Sequence, residues 1–372
     1  MRHLNYKKSR TAGLFAVVVA SLGSLLGAAA QAATPGIKGA SGNPSFNLTA
    51  QDSYISQPDG QMVYSWGYGC ADTNGLSFAP SMAGANCPSM QIPGPTMVVT
   101  EGDQVTITLN NKLPAAAGST SILFPGFQVS TSGGNPGLLT QEAAPGGSVT
   151  YTFVASSPGT HTYYSGTQGD LQVEMGLYGA IIVLPKTIPG NCTSGLAAKN
   201  LTAEAANGET DWRLAPAAYN HPEACYDREY LFQFAEMDPA IHAQAAAQAA
   251  NPCVNTAGCM QVATEPYHPA YFMVNGRSMP DDMDPNYAPN YPHQPYNGNP
   301  HMHPGELVLL RVIGNGRWQH PFHEHGNHVR VLARDGNLIL SQTDATKLAG
   351  PLLFTTTTTP GLAMDGIFYW TG

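Results

Sequence analysis

Apolar and polar residues alternate in short runs along most of this chain, and Gly and Pro turns separate the runs. The clearest is Val105-Thr106-Ile107-Thr108-Leu109, where every second side chain is apolar. That period of two marks a strand with one face buried. Similar patterns predict strands at residues 45–48, 61–66, 121–124, 148–155, 160–165 and 178–184, the first two within a loop-rich stretch covering a domain edge. Short strands at this spacing imply a β-sandwich or barrel. Ala and Gln dominate residues 239–250, which read as a surface helix by propensity. The Pro-, Asn- and Tyr-rich residues 281–300 read as a long loop, a candidate rim for a binding site or a plain cover.

The strand pattern occurs twice. Glu101-Gly102-Asp103 before Val105 pairs with Pro304-Gly305-Glu306 before Leu307, and Pro145-Gly146 before Ser148 pairs with Pro360-Gly361 before Leu362. Two copies of one fold follow. After Phe153 the first copy continues through two further predicted strands, whereas the second ends at Gly372. A sandwich without its last strands leaves a sheet edge and apolar surface open, to be covered by a partner subunit or a longer chain. The expected division is a leader at 1–32, a first domain at 33–186, a linker at 187–228 and an incomplete second domain at 229–372.

Composition adds an address. Arg2, Lys7, Lys8 and Arg10 precede an apolar run and the small-residue site Ala30-Gln31-Ala32, the order of a cleaved secretory leader. Losing it removes four basic residues and no acidic one, moving the formal charge from −9 to −13. A chain so short of Lys and Arg is not built for nucleic acid, and no later run is apolar enough for a membrane span. Six cysteines in an exported chain read as three disulfides. Pairing of nearest neighbours (Cys70 with Cys87, Cys192 with Cys225, Cys253 with Cys259) is one of about 15 schemes.

The candidate chemistry sits in His320-Pro321-Phe322-His323-Glu324-His325-Gly326. Neutral imidazole is the commonest ligand for copper, zinc and iron, so three histidines within six residues suggest a metal site; a His-rich strand end without metal is the alternative. On a strand, His323 and His325 share one face and Glu324 takes the other. His320 differs in parity from His323, unless a bulge at Pro321 re-aims it. His301-Met302-His303 reads as an exposed strand start that can chelate, His161 as a surface strand residue or else a substitute ligand, and His328 as a ring-orienting or buried histidine. Hydrolase elbow, phosphate-binding loop and dinucleotide fingerprint are all missing from the sequence.

The opening from Ile92-Pro93-Gly94-Pro95-Thr96 to Glu101-Gly102-Asp103, the run Gly176 to Val183, and the histidine motif running into Val329 to Gly336 together resemble the multicopper oxidases. The resemblance implies cupredoxin domains and a copper oxidoreductase that couples oxidation of a phenolic or metal-ion donor to reduction of oxygen. It assigns His320 to a type 1 copper and His323 and His325 to the type 2 and type 3 sites. It also marks departures: Leu123, Pro125, Tyr164 and Gly166 stand at the first-domain ligand positions, and no His-Cys-His segment follows. The expectation is therefore an all-β protein of two cupredoxin-like Greek-key sandwiches, the second lacking its last strands. Its function is copper-dependent oxidation if ligands come from elsewhere, or else silent copper binding, or an inactive fragment. Three imidazoles and a water would also suit zinc.

Overall fold

The computed structural model describes residues 34–194, 209–251 and 258–371. The expected leader and Cys253 lie outside the described residues. Residues 36–184 form two five-stranded sheets. One runs in the order Met62–Cys70, Ser45–Ser56, Gln104–Asn111, Ser148–Val154, Ser130–Gly133. The other runs Gly159–Tyr164, Tyr178–Leu184, Met97–Thr100, Gly36–Lys38, Ser77–Ala79. Alternation in Gln104–Asn111 sends Val105, Ile107 and Leu109 inward, where they meet Trp66, Tyr151, Tyr163 and Ile181. Each such side chain contributes about 1.5–3 kcal/mol by leaving water.

The second half repeats this first sheet strand for strand. Its order is Tyr271–Val274, Arg228–Met237, Leu307–Gly314, Ala363–Tyr369, Val329–Arg334, Asn337–Leu338, with Leu352–Leu353 added on Val329–Arg334. Ser45–Ser56 lies parallel to Gln104–Asn111, which is antiparallel to Ser148–Val154. Arg228–Met237, Leu307–Gly314 and Ala363–Tyr369 keep the same directions. The turns match too: Gly102 and Gly305 have φ of 89° and 91°, and Gly146 and Gly361 have 73° and 77°. A left-handed backbone there favours glycine. Among the described residues the second half builds no second five-stranded sheet, only the ribbon of His320–His323 with Thr355–Thr358. The described residues are thus all-β, with one complete sandwich and one open one.

The second sheet has two unlike faces. On one, Leu231, Ile313 and Ala363 pack against Ala180 of the first half, and Leu309 and Ile367 against Tyr219 and Tyr226. Arg311 is buried in this face, 2.9 Å from Glu229 and 3.6 Å from Asp365. The other face carries Phe232, Leu310 and Phe368 and borders a cavity of about 610 Å³ beside the ribbon.

Four expectations need correction. Residues 121–124 form no strand; Leu123 makes a single bridge to Tyr164, and Gly126 at φ 88° turns the chain away. The stretch before residue 89 is no edge cover, since Ser45–Ser56 is a central strand and Trp66 is fully buried. Helix Pro239–Ala250 starts where expected, with Asp238 accepting from the Ala240 N–H at 2.9 Å, yet it buries Ile241, His242 and Ala245. It lies against Met62–Cys70 and covers the sheet edge that this strand would leave open. His161 is buried, its Nε2 2.9 Å from the Ser157 carbonyl and its ring against Phe127, and burial lowers its pKa. Disulfides join Cys70 to Cys87 and Cys192 to Cys225. No helix among the described residues is long and apolar enough to cross a membrane.

Candidate metal centre

The ribbon fixes where the motif points. His320 pairs with Thr358, Pro321 with Thr357, Phe322 with Thr356 and His323 with Thr355, so the register is regular and no bulge occurs at Pro321. The partner strand is a run of four threonines, β-branched residues that suit a pleated ribbon. Residues 320, 322 and 324 are partly buried, while 321, 323 and 325 are exposed. His320 therefore faces inward and His323 and His325 outward.

His320 is held by a residue that sequence inspection had not singled out. Its Nε2 lies 2.8 Å from Oε2 of Glu236, whose side chain is fully buried. The other oxygen of Glu236 accepts the backbone N–H groups of Arg317 and Trp318, the latter at 2.6 Å. A Cβ at Gly316 would meet Glu236 Oε2 at 2.1 Å, so only glycine lets the turn close over this carboxylate. The signal was a Glu flanked by apolar Phe234, Ala235 and Met237 at the end of the strand Arg228–Met237. Thr358 completes the setting, its Oγ1 accepting from the His320 N–H at 3.0 Å and donating to the His320 carbonyl at 3.1 Å.

On the outer side, Thr355 Oγ1 lies 2.7 Å from Nδ1 of His323, which leaves Nε2 outward. The rings of His323 and His325 are 4.9 Å apart. His328 is exposed and meets the edge of Phe354 rather than a ligand ring. Two adjacent imidazoles are a sound start for a copper or zinc site. His320, on the opposite face, cannot join them in the same coordination shell without a change in the ribbon.

Phe322 and Glu324 share the inner face. Phe322 packs on Phe232 and Phe234, with ring centroids 5.1 and 5.6 Å away. Both carboxylate oxygens of Glu324 are buried without a hydrogen-bond partner on the wall of the cavity of about 610 Å³, whose rim His323 and His325 also line. Burial pushes its carboxyl up to about 7. A raised folded-state pKa means stability is fully present below the unfolded value and is lost as pH rises through about 7. In metal-free protein, Glu324→Gln should therefore stabilise by about 1 kcal/mol near pH ~8, discounted for partial exposure, with no gain near pH ~4. Urea denaturation at the two pH values measures this, and an equal effect at both would contradict it.

Three of the four first-half positions assigned by the resemblance, Leu123, Tyr164 and Gly166, come together. Leu123 and Tyr164 exchange backbone hydrogen bonds, and Gly166 sits against the Leu123 side chain. These residues line a cleft of about 370 Å³ between the halves, facing Asn315, Gly316, Arg317, Pro360 and Gly361. No imidazole is on its wall. Among the described residues, the group of side chains spaced for a metal ion is Glu209, His301 and His303, away from the predicted motif.

Comparison with known proteins bears on the fold and on the first half of the chain. Residues 82–188 match the family model described as multicopper oxidase. Laccase 1 of Metarhizium acridum is 37 % identical over 99 residues, which is 26 % of this chain and 15 % of that laccase. The multicopper oxidase MCE of Talaromyces pinophilus is 36 % identical over 99 residues, or 26 % and 16 % of the two chains. The chain thus spans only about a sixth of the curated relatives it matches. Among solved structures, the blue copper oxidase of Nitrosomonas europaea superposes with a TM-score of 0.53 at 19 % identity, covering 87 % of this chain and 74 % of that one. The copper nitrite reductase of the same organism gives 0.53 at 19 %, covering 89 % and 85 %. The structural matches establish the cupredoxin-type fold, and residues 82–188 are similar to the multicopper oxidases.

Proposed function

We propose that this protein is an exported copper-binding protein of the multicopper oxidase type, in which His320 serves one copper centre and His323 and His325 serve another. Copper is the cofactor that the multicopper oxidase likeness implies. The observation that carries the reading is the alternation of the motif: His320 turns inward to Glu236, and the His323–His325 pair turns outward. One strand can serve two centres only if its ligands leave from both faces. Bound copper supplies one-electron redox chemistry at neutral pH. The chain's own residues orient the rings, through Glu236 and Thr355, and keep the inner side apolar through Phe232, Phe234 and Phe322.

Oxidation of a phenolic or metal-ion donor with oxygen as acceptor needs more imidazoles than the described residues bring together. Leu123, Tyr164 and Gly166 cannot supply them, so a neighbouring subunit over the open second sheet, or further chain, must. Without such a source the protein is a silent copper binder, a reading favoured by the imidazole-free cleft. Disulfides in the folded chain support an oxidising, exported setting.

Copper loading followed by dialysis tests the site. His323→Ala should weaken copper retention by more than about 100-fold, since even loss of a ligand's outer partner costs 10–100-fold. Unchanged retention would remove His323 from the site. Oxygen uptake with a phenolic donor then separates an oxidase from a binder.

A further inference from the structure

We infer a second metal site, built from Glu209, His301 and His303 and suited to a divalent transition metal such as Zn²⁺. It shares no residue with the His320–His325 motif and does not depend on the copper reading. One ligand atom from each of the three residues lies within 4.8 Å of the others. Oε1 of Glu209 is 3.2 Å from Nε2 of His303, and the rings of His301 and His303 are 4.9 Å apart. Two imidazoles and a carboxylate with one position open to water are a common zinc set.

Local structure prepares these ligands. The chain turns sharply from His303 to Glu306, with Gly305 at φ 91° and the Glu306 N–H donating to the His303 carbonyl at 3.2 Å. Within the turn the buried Glu306 carboxylate accepts the His303 N–H at 2.6 Å. The same carboxylate lies 3.2 Å from Nδ1 of His303. A Nδ1–H donated to Glu306 leaves the Nε2 lone pair aimed at Glu209, the carboxylate–histidine arrangement that orients metal-binding imidazoles. His301 is tethered beside it, its N–H donating to the Tyr230 hydroxyl at 3.0 Å.

Arg228 sits in the same cluster and has to be reconciled with a cation. It bonds Oε2 of Glu209 at 2.5 Å and Oε2 of Glu306 at 2.7 Å, so Oε1 of Glu209 stays on the imidazole side. Its Nη2 is also 3.1 Å from Nδ1 of His303. In one tautomer of His303, Arg228 donates to Nδ1 and Nε2–H donates to Glu209. The other tautomer, with Nδ1–H donated to Glu306, frees Nε2 for a metal. Glu209 and Glu306 against Arg228 leave the cluster with one net negative charge, which a divalent cation offsets.

Zinc titration of the full chain, read by elemental analysis after gel filtration, tests the inference. A background variant His323→Ala/His325→Ala should retain one equivalent of zinc, and adding His301→Ala or Glu209→Gln should remove it. His301 is exposed and Glu209 only partly buried, and unchanged far-ultraviolet circular dichroism would confirm that both variants stay folded. Co²⁺ in place of zinc should give visible absorption bands that vanish in the same variants. Retention of the equivalent in both variants, or no zinc bound by the background protein, overturns the site.

Discussion

Replacing Arg311 by Met should cost about 3–5 kcal/mol of folding stability, because it leaves two carboxylates buried without their cation. The guanidinium is almost fully buried, 2.9 Å from Glu229, 3.6 Å from Asp365 and 3.1 Å from Thr160 Oγ1. Asp365 also accepts the Thr160 N–H at 3.0 Å and the hydroxyls of Thr160 and Tyr219, each at 2.5 Å. Thr160 belongs to the first sandwich and Arg311 and Asp365 to the second sheet, so the cluster locks the two halves together. Met is close to Arg in volume, and the cost therefore reflects stranded charge rather than a cavity. Replacing Arg311, Glu229 and Asp365 together with apolar residues should recover most of the loss. Guanidinium denaturation measures both. A single-variant loss below about 1 kcal/mol would mean water reaches the cluster.

Glu236→Leu is expected to cost about 2–4 kcal/mol, since each buried donor left without an acceptor costs about 1–3 kcal/mol. The donors are the N–H groups of Arg317 and Trp318, and the His320 ring loses its partner as well. Glu236→Gln keeps one acceptor oxygen and should cost less than half as much. The two variants also separate stability from metal chemistry. If Glu236 orients His320, both should alter the His320 imidazole resonances in magnetic resonance spectra, while those of His323, which is tied to Thr355, stay in place. Equal disturbance of both rings would show that the ribbon itself had unfolded.

Much of the framework was legible because strand alternation and turn glycines are local properties. Val105, Ile107 and Leu109 declare their buried face by spacing alone, and Gly102 and Gly305 mark corresponding turns because both need positive φ. Residues 45–56 were harder, since polar Asn47, Thr49, Gln51 and Ser53 hide a central strand whose pairing is non-local. The helix at 239–250 was visible by propensity, but its burial was not: Ala packs inside as readily as outside. His161 looked like a surface residue, and only the packing of Phe127 over its ring shows otherwise.

By itself, the sequence determined the family likeness, the repeat, the location of the histidine motif and the loss of imidazoles at Leu123, Pro125, Tyr164 and Gly166. All of these are questions of residue identity and order along the chain. Tertiary structure alone decided that no bulge re-aims His320 and that it meets Glu236, that Leu123, Tyr164 and Gly166 line one cleft, and that Glu209 meets His301 and His303. Such contacts join residues about 40 to 190 positions apart, and their geometry depends on sheet register and on how the elements pack, which no local pattern encodes.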